Sequence, residues 1–385
     1  MELEIWWLAL CPLFFGMGWL AARIDMRTVL KQAMSIPAGF FKSLDALVEN
    51  KTGIAVQALD EVVDQQPQAI ELQLTLGKLY RKRGENDKAI RLHQALLESP
   101  DLSGDERNRV SFELGLDFQN AGLVDRAEGV FNTLLDTNTA QSSRKHLLGI
   151  YQQDRDWQKA IETARALSHD QQTYQFEIAQ FYCELAQMAL FLSDLSQARQ
   201  YIERALEANK KCARANILLG DVEVKDNHLD LAIEAWQKIE KQNPEYLGMV
   251  AGRLFDAYEG QKKALEGLEL LIGYSKIFPQ LELVDLLYQK TLHLKGQNTA
   301  IETVLEAVKR KPSMPTVYRL IEAKISTLSP EERQEAEIVN AVLSRSAQKI
   351  MMYRCKCCSF KSQVFFWHCP ACNEWESFTP NRVEV

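Results

Sequence analysis

Along most of the chain, apolar residues recur at intervals of three and four, and a small residue marks one face at a much longer period. The recurring unit is an alanine, a residue four positions on and another three beyond, sometimes closed by a proline at twelve. IAVQALDEVVDQQP, LAIEAWQKIEKQNP and TAIETVLEAVKRKP, around Ala55, Ala232 and Ala300, show it as text. The marking residues are Ala55, Ala89, Ala127, Ala160, Ala198, Ala232, Ala264 and Ala300, separated by 34, 38, 33, 38, 34, 32 and 36 positions. Pro67, Pro244 and Pro312 each follow their alanine by twelve, while Gly77, Gly115 and Gly220 precede theirs by twelve, inside Leu-Gly pairs. Tyr80 and Tyr151 stand nine before. Intervals of three and four describe one face of a helix, and a period near 34 fits two antiparallel helices of about 12–15 residues with short turns. The small residues let paired helices approach closely, which offsets the ~1 kcal/mol that a mid-helix glycine costs. Each unit has an apolar face that only its neighbour buries. An all-α fold of repeated hairpins is therefore expected over residues 51–328. Insertions of about four residues near 103–108 and 170–173 are expected in loops.

The N-terminus departs from this pattern. Residues 5–22 read IWWLALCPLFFGMGWLAA, 18 positions without a charge. As a helix they extend about 27 Å, close to the ~30 Å of a hydrocarbon core. Trp6, Trp7 and Trp19 lie near the two ends, where indoles favour the interface. A cleaved signal peptide would carry a basic start, whereas Glu2 and Glu4 stand here. The stretch is read as a single-pass transmembrane anchor over residues 1–22. Arg23, Arg27 and Lys31 follow it, which places the rest of the chain on the cytoplasmic side. Residues 23–50 read as a juxtamembrane linker, partly helical, with Phe40 and Phe41 facing either the bilayer surface or the first repeat.

The net charge of −7 provides no basic field to hold nucleic acid. His93, His146, His169, His228 and His293 are scattered, without metal or catalytic spacing, and are expected at surfaces or helix ends. No phosphate loop, dinucleotide fingerprint or nucleophile elbow occurs, so no catalytic residue is assigned. An extended repeat surface without chemistry binds peptides or protein helices.

Cysteine is concentrated at the other end. Residues 353–378 read YRCKCCSFKSQVFFWHCPACNEWESF, with CxxC pairs at Cys355/Cys358 and Cys369/Cys372. Each tight turn aims two thiolates at one point, and two such turns make a tetrahedral four-sulfur site for iron or zinc. Cys357 is a fifth thiol read as a spectator, and His368 a weak substitute ligand. Cys183 and Cys212 are expected as small core residues. A segment this short, residues 351–385, depends on metal for much of its folding free energy, on the order of 10 kcal/mol. Of its aromatics, Phe360, Phe365, Phe366, Trp367, Trp375 and Phe378, some are expected to cover the metal and the surplus to dock on the last helices of the array. A connecting helix over residues 329–350 would carry it there.

The repeats, from their Leu-Gly, Tyr, Ala and Pro positions, resemble the tetratricopeptide repeat, which implies a right-handed superhelix with a groove. The terminal segment, from its CxxC and CPxC pairs, resembles a rubredoxin-type metal-binding domain, which implies ligation by Cys355, Cys358, Cys369 and Cys372. Glycine commonly follows the second cysteine of each pair in that family; Ser359 and Asn373 stand there instead. The full order of anchor, repeats and knuckle resembles the lipopolysaccharide assembly protein B family of Gram-negative bacteria. That resemblance implies a non-enzymatic adaptor on the cytoplasmic face of the inner membrane. Its implied partners are a membrane-bound AAA+ protease, the committed-step deacetylase of lipid A synthesis whose proteolysis it promotes, and other lipopolysaccharide assembly proteins. Homo-oligomers are compatible with it. Two other readings stay open, a rubredoxin-like electron carrier and a generic envelope scaffold.

Overall fold

The structure is a computed structural model that describes residues 15–19, 23, 38–66, 69–167, 174–325 and 327–384, with the backbone alone at 38, 347–350 and 384. The expected anchor and Pro67 lie outside these residues, except that 15–19 are helical with Phe15, Met17 and Trp19 exposed. No described helix is long and apolar enough to cross a membrane. The chain divides into two compact units, residues 1–150 and 151–385.

In the first unit, helices α1 (Ala38–Val48), α2 (Thr52–Gln65), α3 (Ile70–Lys82), α4 (Asn86–Leu97), α5 (Gly104–Asn120) and α6 (Val124–Thr133) pair as hairpins, followed by α7 (Ala140–Gln153), whose last three residues belong to the second unit. In the second unit come α8 (Trp157–Leu167), α9 (Gln175–Phe191), α10 (Leu195–Ala208), α11 (Ala213–Lys225), α12 (Leu229–Gln237), the short α13 (Ile239–Gln242) and a 3₁₀ turn at Pro244–Tyr246. They lead to α14 (Leu247–Gly260), α15 (Ala264–Ile277), α16 (Val284–Lys295), α17 (Gln297–Arg310), α18 (Met314–Ile325) and α19 (Pro330–Ile350). The fold is mostly, not entirely, helical. Strands β1 (Met351–Arg354), β2 (Lys361–Ser362) and β3 (Val383–Glu384) form a small antiparallel sheet with β1 in the middle. Tyr353 pairs with Ser362, and Met352 with Val383.

One turn recurs between the helices of a hairpin. Asn50, Gly84, Gly122, Arg155, Ser193, Asn227 and Lys262 all have φ between 56° and 80°. The next residue's N–H bonds the carbonyl five back, as from Glu85 to Tyr80, Asp194 to Ala189 and Lys263 to Tyr258. This left-handed C-cap satisfies the carbonyls of the ending helix and reverses the chain. The left-handed residue stands five before the small residue of the following helix, at Ala55, Ala89, Ala127, Ala160, Ala198 and Ala232. In the seventh copy that register selects Gly267 instead of Ala264. Gly267 is buried, and a Cβ there would lie 2.8 Å from Tyr258 Cβ. Ala264 is only half-buried. The assignment of Ala264 is therefore corrected, and Pro279 then falls in the closing position, twelve residues on.

Gly77, Gly115 and Gly220 show why the first helix is small at this point. Each meets the ring sixteen residues later, and a Cβ would lie 2.4 Å from His93, 2.6 Å from Phe131 and 2.2 Å from Trp236. His93 is not a surface residue: it is fully buried, with Nδ1 2.5 Å from Asp117, which Arg81 also binds. The insertion near 103–108 does not form a loop either. Ser103 caps α5 reciprocally with Glu106, so the extra residues lengthen the helix to 17. The second insertion lies outside the described residues. In the second unit the core gathers around Trp236, Tyr246, Phe255, Leu268 and Tyr274.

Candidate metal centre and its docking face

The two CxxC turns are built alike. The Cys355 N–H bonds the Phe360 carbonyl at 2.9 Å and the Cys369 N–H bonds the Glu374 carbonyl at 3.0 Å. The Ser359 and Asn373 N–H groups return to the carbonyls of Cys355 and Cys369 at 3.1 and 2.9 Å. Ser359 and Asn373 take the left-handed conformation, φ 62° and 57°, at the two places where glycine is usual. Arg354 helps hold the less tolerant one, donating to Ser359 Oγ at 3.1 Å.

The turns bring the thiols of Cys355, Cys358, Cys369 and Cys372 within 4.8 Å of one another. Cys355 Sγ lies 3.7 Å from Cys372 Sγ, and Cys358 Sγ 3.7 Å from Cys369 Sγ. A tetrahedral ion with bonds of ~2.3 Å to sulfur sets its ligand atoms about 3.8 Å apart, so the spacing fits zinc or a single iron. Burial raises the Cys355 thiol, but the N–H of Cys358, the Ser377 hydroxyl and the N–H of Cys357 bring it down to about 6. The Glu374 N–H lowers Cys372, but burial and the three facing thiols push it up to about 12. Four converging thiolates need a cation between them. Cys355 and Cys369 are buried, Cys372 half-buried and Cys358 exposed. Cys357 is exposed and outside the group. His368 is likewise outside it, stacked 4.5 Å from Trp375 with Nε2 at the Asn373 carbonyl.

Phe378 fills the knuckle's small core beside Cys355 and Cys369, with Phe365 and Phe366 packed against it. Phe360 stays exposed at the edge of this core, 6.3 Å from Phe378, whereas Trp367 and Trp375 point into the helices, and not into the last ones. Trp375 meets Trp157 and Phe181 edge-on at 5.9 Å each, and its Nε1 donates to Gln152 at 3.3 Å. Trp367 stacks on Tyr246 at 5.0 Å. Between the two indoles lies Arg214, fully buried, its guanidinium 5.1 Å from the Trp367 ring and 6.0 Å from that of Trp375. Glu184 and Gln187 of α9 accept from it at 2.7 and 2.9 Å. Glu376 accepts from Gln180 at 2.6 Å, and burial raises its carboxyl above the ordinary range against the opposing effects of Gln180 and Arg214. Ion pairs of Lys356 with Glu245 and Arg382 with Glu282 flank the contact. The expected docking on the last helices is thus corrected. The knuckle sits on the start of α8, on α9 and α11, and on the 3₁₀ turn before α14, reached by the return helix α19. The spacing of cysteines carried no sign of this. The signal was a buried arginine and a run of polar residues, Gln180, Glu184, Gln187, on faces that the repeat pattern makes helical but not core.

Cys183 and Cys212 are buried core thiols 3.8 Å apart, separate from the four. Glu223, Asp226 and His228 also converge, but Arg199 already bonds both carboxylates, so this is an ion-pair network.

Residues 353–380 match the family model described as the rubredoxin metal binding domain, and residues 74–107 and 183–246 match tetratricopeptide repeat models. The chain is 30% identical to lipopolysaccharide assembly protein B of Escherichia coli strain K12, over 97% of this chain and 97% of that one. The chain belongs to the lipopolysaccharide assembly protein B family. A second family member, from Haemophilus influenzae, is 29% identical over 96% of each chain. Among solved structures, the C-terminal part of a TPR repeat-containing protein from Cytophaga hutchinsonii is 13% identical, covers 62% of this chain and 96% of its own, and gives a TM-score of 0.37. The family's repeats and zinc-ribbon-like knuckle fit a non-enzymatic adaptor.

Proposed function

We propose that this chain is a single-pass inner-membrane adaptor of lipopolysaccharide synthesis, with its repeats and knuckle on the cytoplasmic side. In this reading it promotes proteolysis of the committed-step lipid A deacetylase by the membrane AAA+ protease, and gathers other lipopolysaccharide enzymes. The observation that carries it is end-to-end kinship with a protein named for lipopolysaccharide assembly. The charge-free stretch at 5–22 supports tethering. A tether confines adaptor, protease and substrate to one surface, at effective concentrations approaching the millimolar range for short flexible links. Cys355, Cys358, Cys369 and Cys372 would hold one zinc or iron. With all four positions taken by protein, the ion supplies a fixed crosslink, which suits a structural role. Depleting the chain from its host is expected to lengthen the deacetylase half-life several-fold, with in-cell crosslinks to both protease and deacetylase. An unchanged half-life with no such crosslinks would sink the proposal.

An electron-carrying reading has one observation in its favour, the exposure of Cys358 at the edge of the cluster. It predicts that zinc-loaded chain fails to support growth where iron-loaded chain succeeds. Equal support by the zinc form removes it.

A further inference from the structure

Helix α19 turns an unusual stripe to solvent. Glu331, Glu335, Ile338, Val342 and Arg345 are all exposed and follow one another at steps of four, three, four and three. That spacing keeps them on one line along the helix, the pattern of a coiled-coil seam. Ile338 and Val342 are 62% and 61% exposed, and Val339 beside them 51%, so the apolar centre of the seam is uncovered. The ends of the stripe carry opposite charge.

The stripe is complementary to itself in one orientation. We infer that α19 is a homotypic docking face, on which a second copy of this chain lays its own α19 antiparallel, about a two-fold axis at residue 340. In that register Ile338 of one copy faces Val342 of the other, and Glu335 faces Arg345, each contact occurring twice. A parallel pair would set Glu335 on Glu335 and Arg345 on Arg345, which repels. The complementarity cannot serve the helix itself, because Glu335 and Arg345 are ten residues and about 15 Å apart along it. A single helix pair buries less than the 1,200–2,000 Å² usual for a stable interface, so association is weak in dilute solution and needs confinement to be populated. This surface lies apart from the metal centre; the inference does not depend on the lipopolysaccharide reading, but it rests on the proposed membrane tether for confinement.

The test is energy transfer between donor- and acceptor-tagged copies of the full chain in bacterial membranes. The wild type is expected to give transfer above an unrelated membrane protein at the same density. Glu335→Lys or Arg345→Glu alone turns two attractive contacts into two repulsive ones, and should weaken apparent self-association about tenfold or more. Transfer returns when both changes stand in one chain, and also when an E335K chain is mixed with an R345E chain, since the mixed pair is again complementary. That rescue separates a docking role from misfolding. Absence of wild-type transfer, indifference to the single reversals, or failure of the mixed pair would each overturn the inference. So would capture of an unrelated protein by the stripe with no second copy present.

Discussion

Truncating Trp375 tests whether the metal knuckle is bonded to the repeats or merely adjacent to them. The side chain is 6% exposed, stacks on His368, meets Trp157 and Phe181 edge-on, and donates to Gln152. Loss of a buried tryptophan to alanine costs about 3–5 kcal/mol, of which each aromatic pair contributes roughly 0.5–1.5 kcal/mol beyond area. At 3.3 Å the Gln152 bond is long and contributes little. Since His368 belongs to the knuckle itself, the ring partners lost across the interface are Trp157 and Phe181, with Arg214 at the limit of reach at 6.0 Å, and the lower half of that range applies to docking. Trp375→Ala should therefore favour the undocked knuckle by a factor on the order of 10². Trp375→Phe retains ring contacts and should lose about 1–1.5 kcal/mol. The assay is metal release from the full chain to a chromogenic chelator, together with urea unfolding followed by circular dichroism. Alanine is expected to speed release by about two orders of magnitude and to split one unfolding transition into two, with phenylalanine near wild type. Release and unfolding unchanged by alanine would refute the reasoning, because the ring would then contribute nothing to holding the knuckle.

Glycine substitutions should change sign with position: Gly220→Ala drives a Cβ to 2.2 Å from Trp236 and is expected to lower stability by about 1–3 kcal/mol, whereas Gly252→Ala, with open space around it, should raise it by about 0.5–1 kcal/mol, both read from urea midpoints. In the first unit, burial raises the Glu113 carboxyl, but Arg81 at 2.7 Å and Lys78 at 3.0 Å outweigh it and hold it below the ordinary 4.5. The unfolded chain thus takes up that proton first; the stabilisation is present above about pH 4.5 and fades as pH falls through the lowered value, so Glu113→Gln should lose less stability than wild type on acidification from pH 5 to 3. Cys357→Ala leaves the four converging thiols intact and should keep the metal-to-protein ratio and stability within about 0.5 kcal/mol, while Cys358→Ala should lose most of the metal.

The helical repeat was legible because packing enforces it. A helix that must approach its partner needs a small residue at one place, and the chain repeats that need every 33 to 38 positions. Where the reading failed, the residue type misled. Ala264 is small and near the right place, but the left-handed turn at Lys262 fixes the register three residues later, at Gly267. His93 occupies the slot that holds Phe131 and Trp236 in other copies, so its position in the repeat carried more information than its polarity. The convergence of Cys355, Cys358, Cys369 and Cys372 was legible because four thiols at that spacing have few other uses. The place where the knuckle docks was not, because Arg214, Gln180 and Trp375 lie far apart in sequence and become partners only when α19 has turned the chain back.

A metal that makes the knuckle a clamp on the middle helices must protect their amides, and hydrogen exchange reads that protection. The full chain is compared with its Cys355→Ser/Cys358→Ser variant, peptide by peptide. Exchange is expected to rise in Gln175–Phe191, Ala213–Lys225 and the first turns of Leu247–Gly260, and to stay unchanged in Ile70–Lys82 and Asn86–Leu97. Equal protection of the three clamped segments in both proteins, with metal absent from the variant, would contradict it.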